Sequence, residues 1–249
     1  MLTQERRDMI VAFINEKNAV TVSQLMDEFD ASAATIRRDL SVLHDERKIL
    51  KVFGGATSLS AGDVNTVEPP VSAKATLNVE EKSLISKYAA SLINDDDFVY
   101  IDSGTTTLEM IRYSENTKAK YITNGVVHAK KLLEKNLNTM IIGGRVKPTT
   151  EAIIGPDCIE GIRTYHFTKA FMGTNGISIN AGYTTPEVDE ARVKEEAVRH
   201  AYISYILADH SKFGQISSVT FADITSCCII TDKEVNKNYH SKTIIKVVE

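Results

Sequence analysis

The chain has 249 residues, of which 43% are hydrophobic and 25% charged, and its formal net charge is −4. These values are typical of a folded globular protein with room for one small and one larger domain, and they exclude intrinsic disorder and a strongly basic protein. The sequence has neither a signal-type N-terminus nor an apolar run of about 18 residues, so we expect a cytoplasmic protein with no membrane partner.

The first fifty residues predict three short helices around one small core. Residues 4–17 have apolar side chains at helical spacing, and a short second helix around Leu25 can be capped by Thr21 or Ser23. A third helix begins at Ser32, whose hydroxyl can accept a hydrogen bond from a free backbone N–H. The two residues before Ser32 form the tight turn of a helix-turn-helix.

The third helix has two different faces. Ile36, Leu40 and Leu43 fall on one face and are predicted to pack inward. The other face carries arginines and small residues, which suits an element that enters a major groove about 12 Å wide. The alternative is a solvated face whose arginines pair with Asp39 and Glu46. The candidate DNA contacts of this helix are Ser32, Ala33, Ala34, Thr35, Arg37 and Arg38.

Residues 49–53 have the alternation of a strand and lead into Gly54 and Gly55, which can form a hairpin turn. We interpret this segment as a wing and add Lys51, Gly54 and Gly55 to the candidate DNA contacts. Five basic and three acidic residues lie between positions 32 and 55, so positive charge collects there. The first 56 residues are nearly neutral, so we expect useful affinity from a homo-oligomer, a dimer or tetramer, on paired sites.

These motifs resemble the N-terminal signature of the DeoR-type bacterial transcriptional regulators. The resemblance rests on Arg6, Ile10 and Ile14, on the run SAATIRRDL at 32–40 and on the run FGGA at 53–56. It implies a winged helix-turn-helix domain over residues 1–57 whose partner is double-stranded operator DNA. The polar stretch 58–76, with Gly62, Pro69 and Pro70, has no sustained period and predicts a linker.

Residues 77–249 predict an α/β domain with a parallel-rich sheet and helices on both faces, because helices and strands alternate along the sequence. Ligands bind such sheets at the carboxyl ends of the strands. The predicted strands are 98–101, 120–123, 139–142, 169–172, 202–208 and 227–231. The predicted helices are 79–93, 107–112, 126–135 and 186–200. Cys158, Cys227 and Cys228 lack metal-ligand spacing, and we predict thiols without a metal site.

The strongest candidate site follows the first of these strands. The run DSGTTT at 102–107 opens a helix, so backbone N–H groups, hydroxyls and the positive end of the helix dipole converge on one point that fits a phosphate. An ordinary Ser/Thr-rich turn is the alternative. Two further strand ends, at 143–144 and 173–176, carry glycines that allow close approach of the backbone to a ligand.

Three charged side chains complete the candidate site. Glu190 and Lys194 stand four residues apart and therefore on one helix face, with a surface ion pair as the alternative. Lys212 follows another strand and could reach a phosphate or a sugar hydroxyl, with a solvated lysine as the alternative.

The second half of the chain resembles the sugar-phosphate-sensing domain of the same family, which shares its fold with ribose-5-phosphate isomerases and coenzyme A transferases. Within the family, the resemblance is greatest to the fructose-operon repressors. It implies fructose 1-phosphate as effector, with tagatose 6-phosphate behind it, and no cofactor. Gly125 stands where a serine is more usual. The implied effector-binding residues are Asp102, Gly104, Thr105, Thr106, Thr107, Gly143, Gly144, Gly173, Asn175, Gly176, Glu190, Lys194 and Lys212.

The favoured hypothesis is a transcriptional regulator, a repressor of a sugar-utilisation operon that a sugar phosphate relieves, with no catalytic residues. One alternative is a sugar-phosphate isomerase with an appended DNA-binding domain. Glu190 or Asp209 would then be the base, with Lys194 or Lys212 stabilising the enediolate. Another is an architectural DNA-binding protein whose second domain only oligomerises.

Overall fold

The structure, a computed structural model, describes residues 3–46, 48–58, 64–68, 70–115 and 118–249. The chain divides into two compact units, Met1–Val64 and Asn65–Glu249. Parts of the predicted linker, residues 59–63 with Gly62 and also Pro69, lie outside the described residues.

Three helices surround the core of the first unit. Thr21 caps the second helix through a capping box with Gln24, in which each residue's side chain bonds the other's backbone N–H. Ile10, Ile36 and Leu40 are fully buried, as the helical spacing predicts. The elements are α1 (Thr3–Lys17), β1 (Ala19–Thr21), α2 (Val22–Phe29), α3 (Ala33–Asp45), β2 (Ile49–Val52) and β3 (Gly55–Ser58).

The wing is part of a three-stranded antiparallel sheet in the order β1-β3-β2. The sequence predicts the hairpin but not β1, which has only three residues. Gly55 explains the close fit of the sheet, since a Cβ at this position would lie 2.0 Å from the Val20 carbonyl oxygen. Any other residue there would push β1 away from β3.

The second unit begins with short elements and continues as an α/β domain. Val71–Ala75 forms a helix inside the stretch that composition alone marks as linker. The elements up to the first half of the sheet are β4 (Val64–Asn65, across the boundary of the units), α4 (Val71–Ala75), α5 (Val79–Ser91), β5 (Phe98–Ile101), α6 (Thr105–Tyr113), β6 (Lys120–Thr123), α7 (Val126–Glu134), β7 (Asn138–Ile141), β8 (Arg145–Lys147) and β9 (Ala152–Ile154).

The remaining elements complete the sheet. They are α8 (Pro156–Arg163), β10 (Phe167–Gly173), β11 (Gly176–Ser178), β12 (Gly182–Thr185), α9 (Val188–Arg199), β13 (Ala201–Leu207), β14 (Ile216–Ser217), β15 (Val219–Ala222), β16 (Cys228–Thr231), α10 (Lys237–His240) and β17 (Ile245–Val247), with 3-10 turns at His210–Lys212 and Ile224–Ser226.

Seven parallel strands form the central sheet in the order β17-β16-β13-β10-β5-β6-β7. Alternate residues of the five inner strands enter different apolar clusters, Tyr100 in one and its neighbours Val99 and Ile101 in the other, so this part of the sheet is covered on both faces. Cys158 and Cys227 are buried, and burial raises the pKa of each thiol to about 12. The predicted fold class, a winged helix-turn-helix followed by an α/β domain with a parallel-rich sheet, is confirmed.

Candidate functional site

The third helix of the first unit presents two free arginines. Ser32 caps α3, and its Oγ accepts a hydrogen bond from the Thr35 backbone N–H at 3.3 Å. Arg37 and Arg38 are exposed, and neither guanidinium has a salt-bridge partner in the part of the chain that the structure describes. Ala33 and Ala34 precede them on the first turn of α3, where they add little bulk.

Asp39 does not neutralise these arginines. Its two carboxylate oxygens accept from Arg6 Nε at 2.8 Å and from Arg7 Nε at 2.9 Å, and the side chain is almost fully buried. Glu46 instead lies 2.9 Å from Lys48 Nζ. The alternative of a surface in which Asp39 and Glu46 pair with Arg37 and Arg38 is therefore not what the structure contains, because both carboxylates have other partners.

The wing places its candidate residues differently. Lys51 is exposed and donates to Ser41 Oγ at 2.9 Å. Gly54 has φ +80° in the turn beside Phe53, an apolar side chain that is completely exposed. Gly55 is buried against β1, so it allows β1 and β3 to approach each other closely and offers no surface that DNA could contact. Phe53 belongs to the run FGGA at 53–56, but only the structure shows that it is exposed at the end of a hairpin.

A cleft opens in the second unit where three adjacent strands end. Strands β13, β10 and β5 are neighbours in one parallel sheet, so their carboxyl ends meet at one edge, as expected for a ligand site. Nine of the predicted effector residues line this cleft, namely Asp102, Gly104, Thr105, Thr106, Gly173, Asn175, Glu190, Lys194 and Lys212.

Four predicted residues do not line the cleft. Thr107 lies beneath it, with its hydroxyl donating to the Asp102 carbonyl at 2.6 Å. Gly143 and Gly144 follow β7, the edge strand, which β6 separates from β5. Gly176 is buried where a Cβ would lie 2.4 Å from the Gln215 carbonyl oxygen. Strand order and close packing, rather than any property of these residue types, place them outside the cleft.

A buried ion pair lies at the centre of the cleft. Asp102 Oδ2 accepts from Lys194 Nζ at 2.5 Å and from the Gly173 backbone N–H at 3.0 Å, and Lys194 also donates to the Gly173 carbonyl at 3.1 Å. A Cβ at Gly104 would lie 3.7 Å from the Gly173 Cα, which shows how closely the two loops approach. The pair ties the loop after β5 to the loop after β10.

Glu190 and Lys194 do not form the ion pair that their spacing allows. Glu190 Oε1 accepts from Lys147 Nζ at 3.0 Å and from Thr150 Oγ1 at 3.0 Å. Lys147 comes from β8, and the β8–β9 hairpin is an element that the sequence does not predict. Lys194 is thus held by Asp102, and Glu190 by the hairpin.

His128 supports the loop at 102–107 from below. Its Nε2 lies 2.9 Å from the Gly104 carbonyl oxygen, to which it donates, and 3.3 Å from Thr107 Oγ1. Burial lowers the pKa of His128 to about 4, against smaller opposing effects of the Gly104 hydrogen bond and Asp102. Gly125 leaves room for this ring, since a Cβ there would lie 2.5 Å from His128 Nδ1. Any side chain at position 125 would therefore have to displace this ring.

Several residues of the cleft were not predicted from the sequence. Lys82 is buried, donates to the Lys74 carbonyl oxygen, and has a pKa lowered by burial and by the nearby charges of Lys212 and Lys74. It lies with Ile85 on the buried face of α5. A lysine on an apolar helix face is unusual, and this position could have been recognised from the sequence. Other cleft residues absent from the predicted effector-binding residues are Glu68, Val71, Lys74, Leu77, Asn78, Ser103, Thr150, Thr174, Leu207, Ala208 and Ser211, and the cleft also contains Asp209, which was predicted only as a base of the isomerase alternative.

Asp209 is fixed in the cleft by donors from two segments. Its Oδ1 accepts from Asn78 Nδ2 at 2.9 Å, from the Ser211 backbone N–H at 3.0 Å and from the Ser211 hydroxyl. Asp209 and Glu190, the two candidate bases of the isomerase alternative, are thus both held by several donors.

One group of side chains outside the cleft has the composition of a cation site. Ligand atoms of Glu81, His210 and Asp232 lie within 4.8 Å of one another. His210 Nδ1 is 2.7 Å from Asp232 Oδ2, so the pair is already joined by a hydrogen bond. In the described residues no helix is long and apolar enough to cross a membrane.

A winged helix-turn-helix with free arginines, followed by an α/β unit with a charged cleft, defines a ligand-responsive DNA-binding regulator. Comparisons with known proteins give the family. Residues 6–61 match the DeoR-like helix-turn-helix domain, and residues 77–233 match the DeoR C terminal sensor domain. The chain belongs to the DeoR family of transcriptional regulators.

Similar proteins cover the whole chain. It is 42% identical to a Bacillus subtilis protein described as an uncharacterized HTH-type transcriptional regulator FruR, over 100% of both chains. It is 33% identical to the regulator IolR of the same organism, over 91% of this chain and 90% of IolR. It is 30% identical to a lactose phosphotransferase system repressor of Staphylococcus aureus, over 100% of both chains. These relatives are regulators, so the prediction that the chain is not an enzyme is confirmed.

Among solved structures, ribose 5-phosphate isomerase A of Methanocaldococcus jannaschii overlays 55% of this chain and 55% of its own. The TM-score is 0.42 at 14% identity. A likeness this distant carries no weight for function.

Proposed function

We propose that this chain represses a sugar-utilisation operon of the fructose type and leaves its operator when fructose 1-phosphate binds the cleft, with tagatose 6-phosphate as the second candidate effector. The phosphate would lie at the loop after β5. This proposal draws on the full-length similarity to FruR and to a lactose phosphotransferase system repressor. Of the effector residues predicted from the sequence, we propose that only those that line the cleft bind the effector.

The observation that carries the proposal is the combination of donors in the cleft. The N-terminus of α6, with Thr105 and Thr106 on its first turn, faces the cleft, and free backbone N–H groups there favour an anion. Lys82 and Lys212 line the same cleft. Lys212 has no salt-bridge partner among the residues that the structure describes.

On the DNA side, we propose that Ser32, Thr35, Arg37 and Arg38 contact the operator while Lys51 and the wing tip at Gly54 contact its backbone. Because free positive charge is limited to a few side chains, we infer that a homodimer or tetramer must engage paired half-sites. Effector binding then has to lower operator affinity by roughly 1–3 kcal/mol, the usual range of allosteric coupling.

The deciding experiment measures operator release against a panel of sugar phosphates. We expect fructose 1-phosphate to release the operator at the lowest concentration, and Thr106→Ala and Lys212→Ala each to weaken that response. Thr164→Ala and Lys237→Ala, which change the same residue types outside the cleft, are the matched controls. If no sugar phosphate produces heat in calorimetry or alters operator binding, the architectural alternative replaces this proposal.

A further inference from the structure

A carboxylate of the chain itself lies in the effector cleft. Glu68 forms an ion pair with Lys74, and its Oε2 accepts a hydrogen bond from Asn175 Nδ2 at 3.1 Å. Only 6% of the Glu68 side chain is exposed. All three residues line the cleft, and Asn175 is one of the side chains assigned to the effector. The cleft therefore holds an anionic group without any ligand.

The surroundings of Glu68 favour an anion. Four lysines line the cleft together with three carboxylates besides Glu68, namely Asp102, Glu190 and Asp209, and Asp102 pairs with Lys194. Lys82 is buried beside Lys74 and has no carboxylate in direct contact among the described residues. Burial is the main cause of its lowered pKa, and the nearby charges of Lys212 and Lys74 lower it further while Asp209 opposes them. Glu68 balances the one lysine by which the cleft lysines outnumber the other carboxylates.

Glu68 belongs to a surface segment at the start of the second unit, residues 65–68. The backbone N–H of Ser218 donates to the Asn65 carbonyl oxygen at 3.2 Å, and Asn65 Oδ1 accepts from the Val67 N–H at 3.1 Å. Val67 is 69% exposed, so apolar burial does not hold the segment in place. Its anchors are polar, one at each end, and Val64 directly before it is the last residue of the first unit.

We propose that residues 65–68 act as a strap whose Glu68 occupies the anion-binding cleft until a phosphorylated effector displaces it. The proposal rests on the proposed function, because it assumes an anionic ligand. A phosphate carries a charge of about −1.5 to −2 near neutral pH, and two anions in one small cleft repel each other. The ligand takes over the lysines, and the strap loses its anchor at Glu68.

A ligand shifts an equilibrium only by its different affinity for two states, and here the two states are the strap bound and the strap displaced. Glu68 in the cleft therefore opposes effector binding, and effector binding favours the displaced strap.

Glu68→Gln tests the proposal because it removes the charge and keeps the shape. We expect the variant to bind fructose 1-phosphate and, separately, inorganic phosphate about 10-fold more tightly than the wild type in calorimetric titrations. Operator release should then need about 10-fold less fructose 1-phosphate. Glu160→Gln, an exposed glutamate on α8, is the matched control and should change neither value. Unchanged or weaker binding in Glu68→Gln would overturn the strap and make Glu68 an ordinary ligand contact.

Hydrogen exchange without ligand separates this proposal from the function on which it rests. In Glu68→Gln the amides of residues 65–68 and 71–76 should exchange faster than in the wild type. Equal exchange rates in the two proteins would contradict the strap. Faster exchange combined with no binding of either probe would support the strap and refute the sugar-phosphate assignment. Glu68→Ala, which deletes the carboxylate altogether, should behave as Glu68→Gln does.

Discussion

The two functional regions of this protein handle charge in opposite ways. On α3, Arg37 and Arg38 stand exposed and without ion-pair partners among the described residues, while the nearby Asp39 is buried against Arg6 and Arg7. At the cleft, Lys194 and Lys74 each have a carboxylate partner, as does the neighbouring Lys147, whereas Lys82 and Lys212 have no ion-pair partner among the described residues.

The difference follows from what each region has to bind. DNA is a long anion, and protein cations that bind its phosphates release the counterions. The arginines are exposed to water before they bind DNA, so they need no partner within the protein. A small ligand is bound in a cavity, where an unpaired charge would be costly before the ligand arrives. The comparison predicts that Arg37 and Arg38 can be removed without loss of stability, whereas Lys194 of the buried ion pair cannot.

The largest effect is expected at α3. Replacing both Arg37 and Arg38 by alanine should weaken operator binding by about 2–6 kcal/mol, since each specific arginine contact contributes about 1–3 kcal/mol. The melting temperature and the affinity for fructose 1-phosphate should stay unchanged. Fluorescence anisotropy with labelled operator measures the loss, and Arg112→Ala, an exposed arginine of the second unit, is the control. Full operator affinity in the double variant would refute the assignment of α3 as the recognition helix.

Lys194→Met should affect stability instead. It leaves Asp102 buried without its cation, which costs about 3–5 kcal/mol when one partner of a buried pair is removed. Denaturant unfolding of the second unit gives the value. Adding Asp102→Asn should recover much of the loss, because the uncompensated charge is then gone. A Lys194→Met protein as stable as the wild type would show that the cleft does not depend on internal neutralisation.

The buried His128 predicts a pH dependence of about 3 kcal/mol. Its pKa is about 4 in the folded protein against 6.5 for an ordinary histidine, so between these values the unfolded chain binds more protons. Stability from this group is complete above pH 6.5 and is lost as the pH falls toward 4. Unfolding of the wild type and of His128→Gln across that range isolates the effect, and equal pH profiles would contradict the neutral, buried imidazole.

The smallest effect is expected at Gly125. Serine at this position would place a Cβ 2.5 Å from His128 Nδ1, so we expect a loss of about 1–3 kcal/mol from overpacking. Combining Gly125→Ser with His128→Ala should make the serine harmless, which a double-mutant cycle measures. Additive losses in the cycle would mean that the ring and the glycine are independent.

The local features of this protein were determined by its sequence. Ser32 at a helix start, apolar residues three and four apart and a double glycine after a short strand predicted the winged helix-turn-helix. Strands that end in DSGTTT and in glycines predicted a ligand site at one edge of a parallel sheet. These signals are local because capping, periodicity and turns involve residues close together along the chain.

Long-range placement was decided by the tertiary structure. Gly143 and Gly144 resemble ligand-loop glycines, yet β7 lies at the edge of the sheet and carries them away from the cleft. Glu190 and Lys194 have ion-pair spacing, yet partners from β8 and from the loop after β5 are closer. Glu68 lies in a stretch of sequence whose apolar residues have neither helical nor strand periodicity. Strand order and the docking of a polar segment depend on contacts between residues far apart in sequence, and no spacing along the chain encodes them.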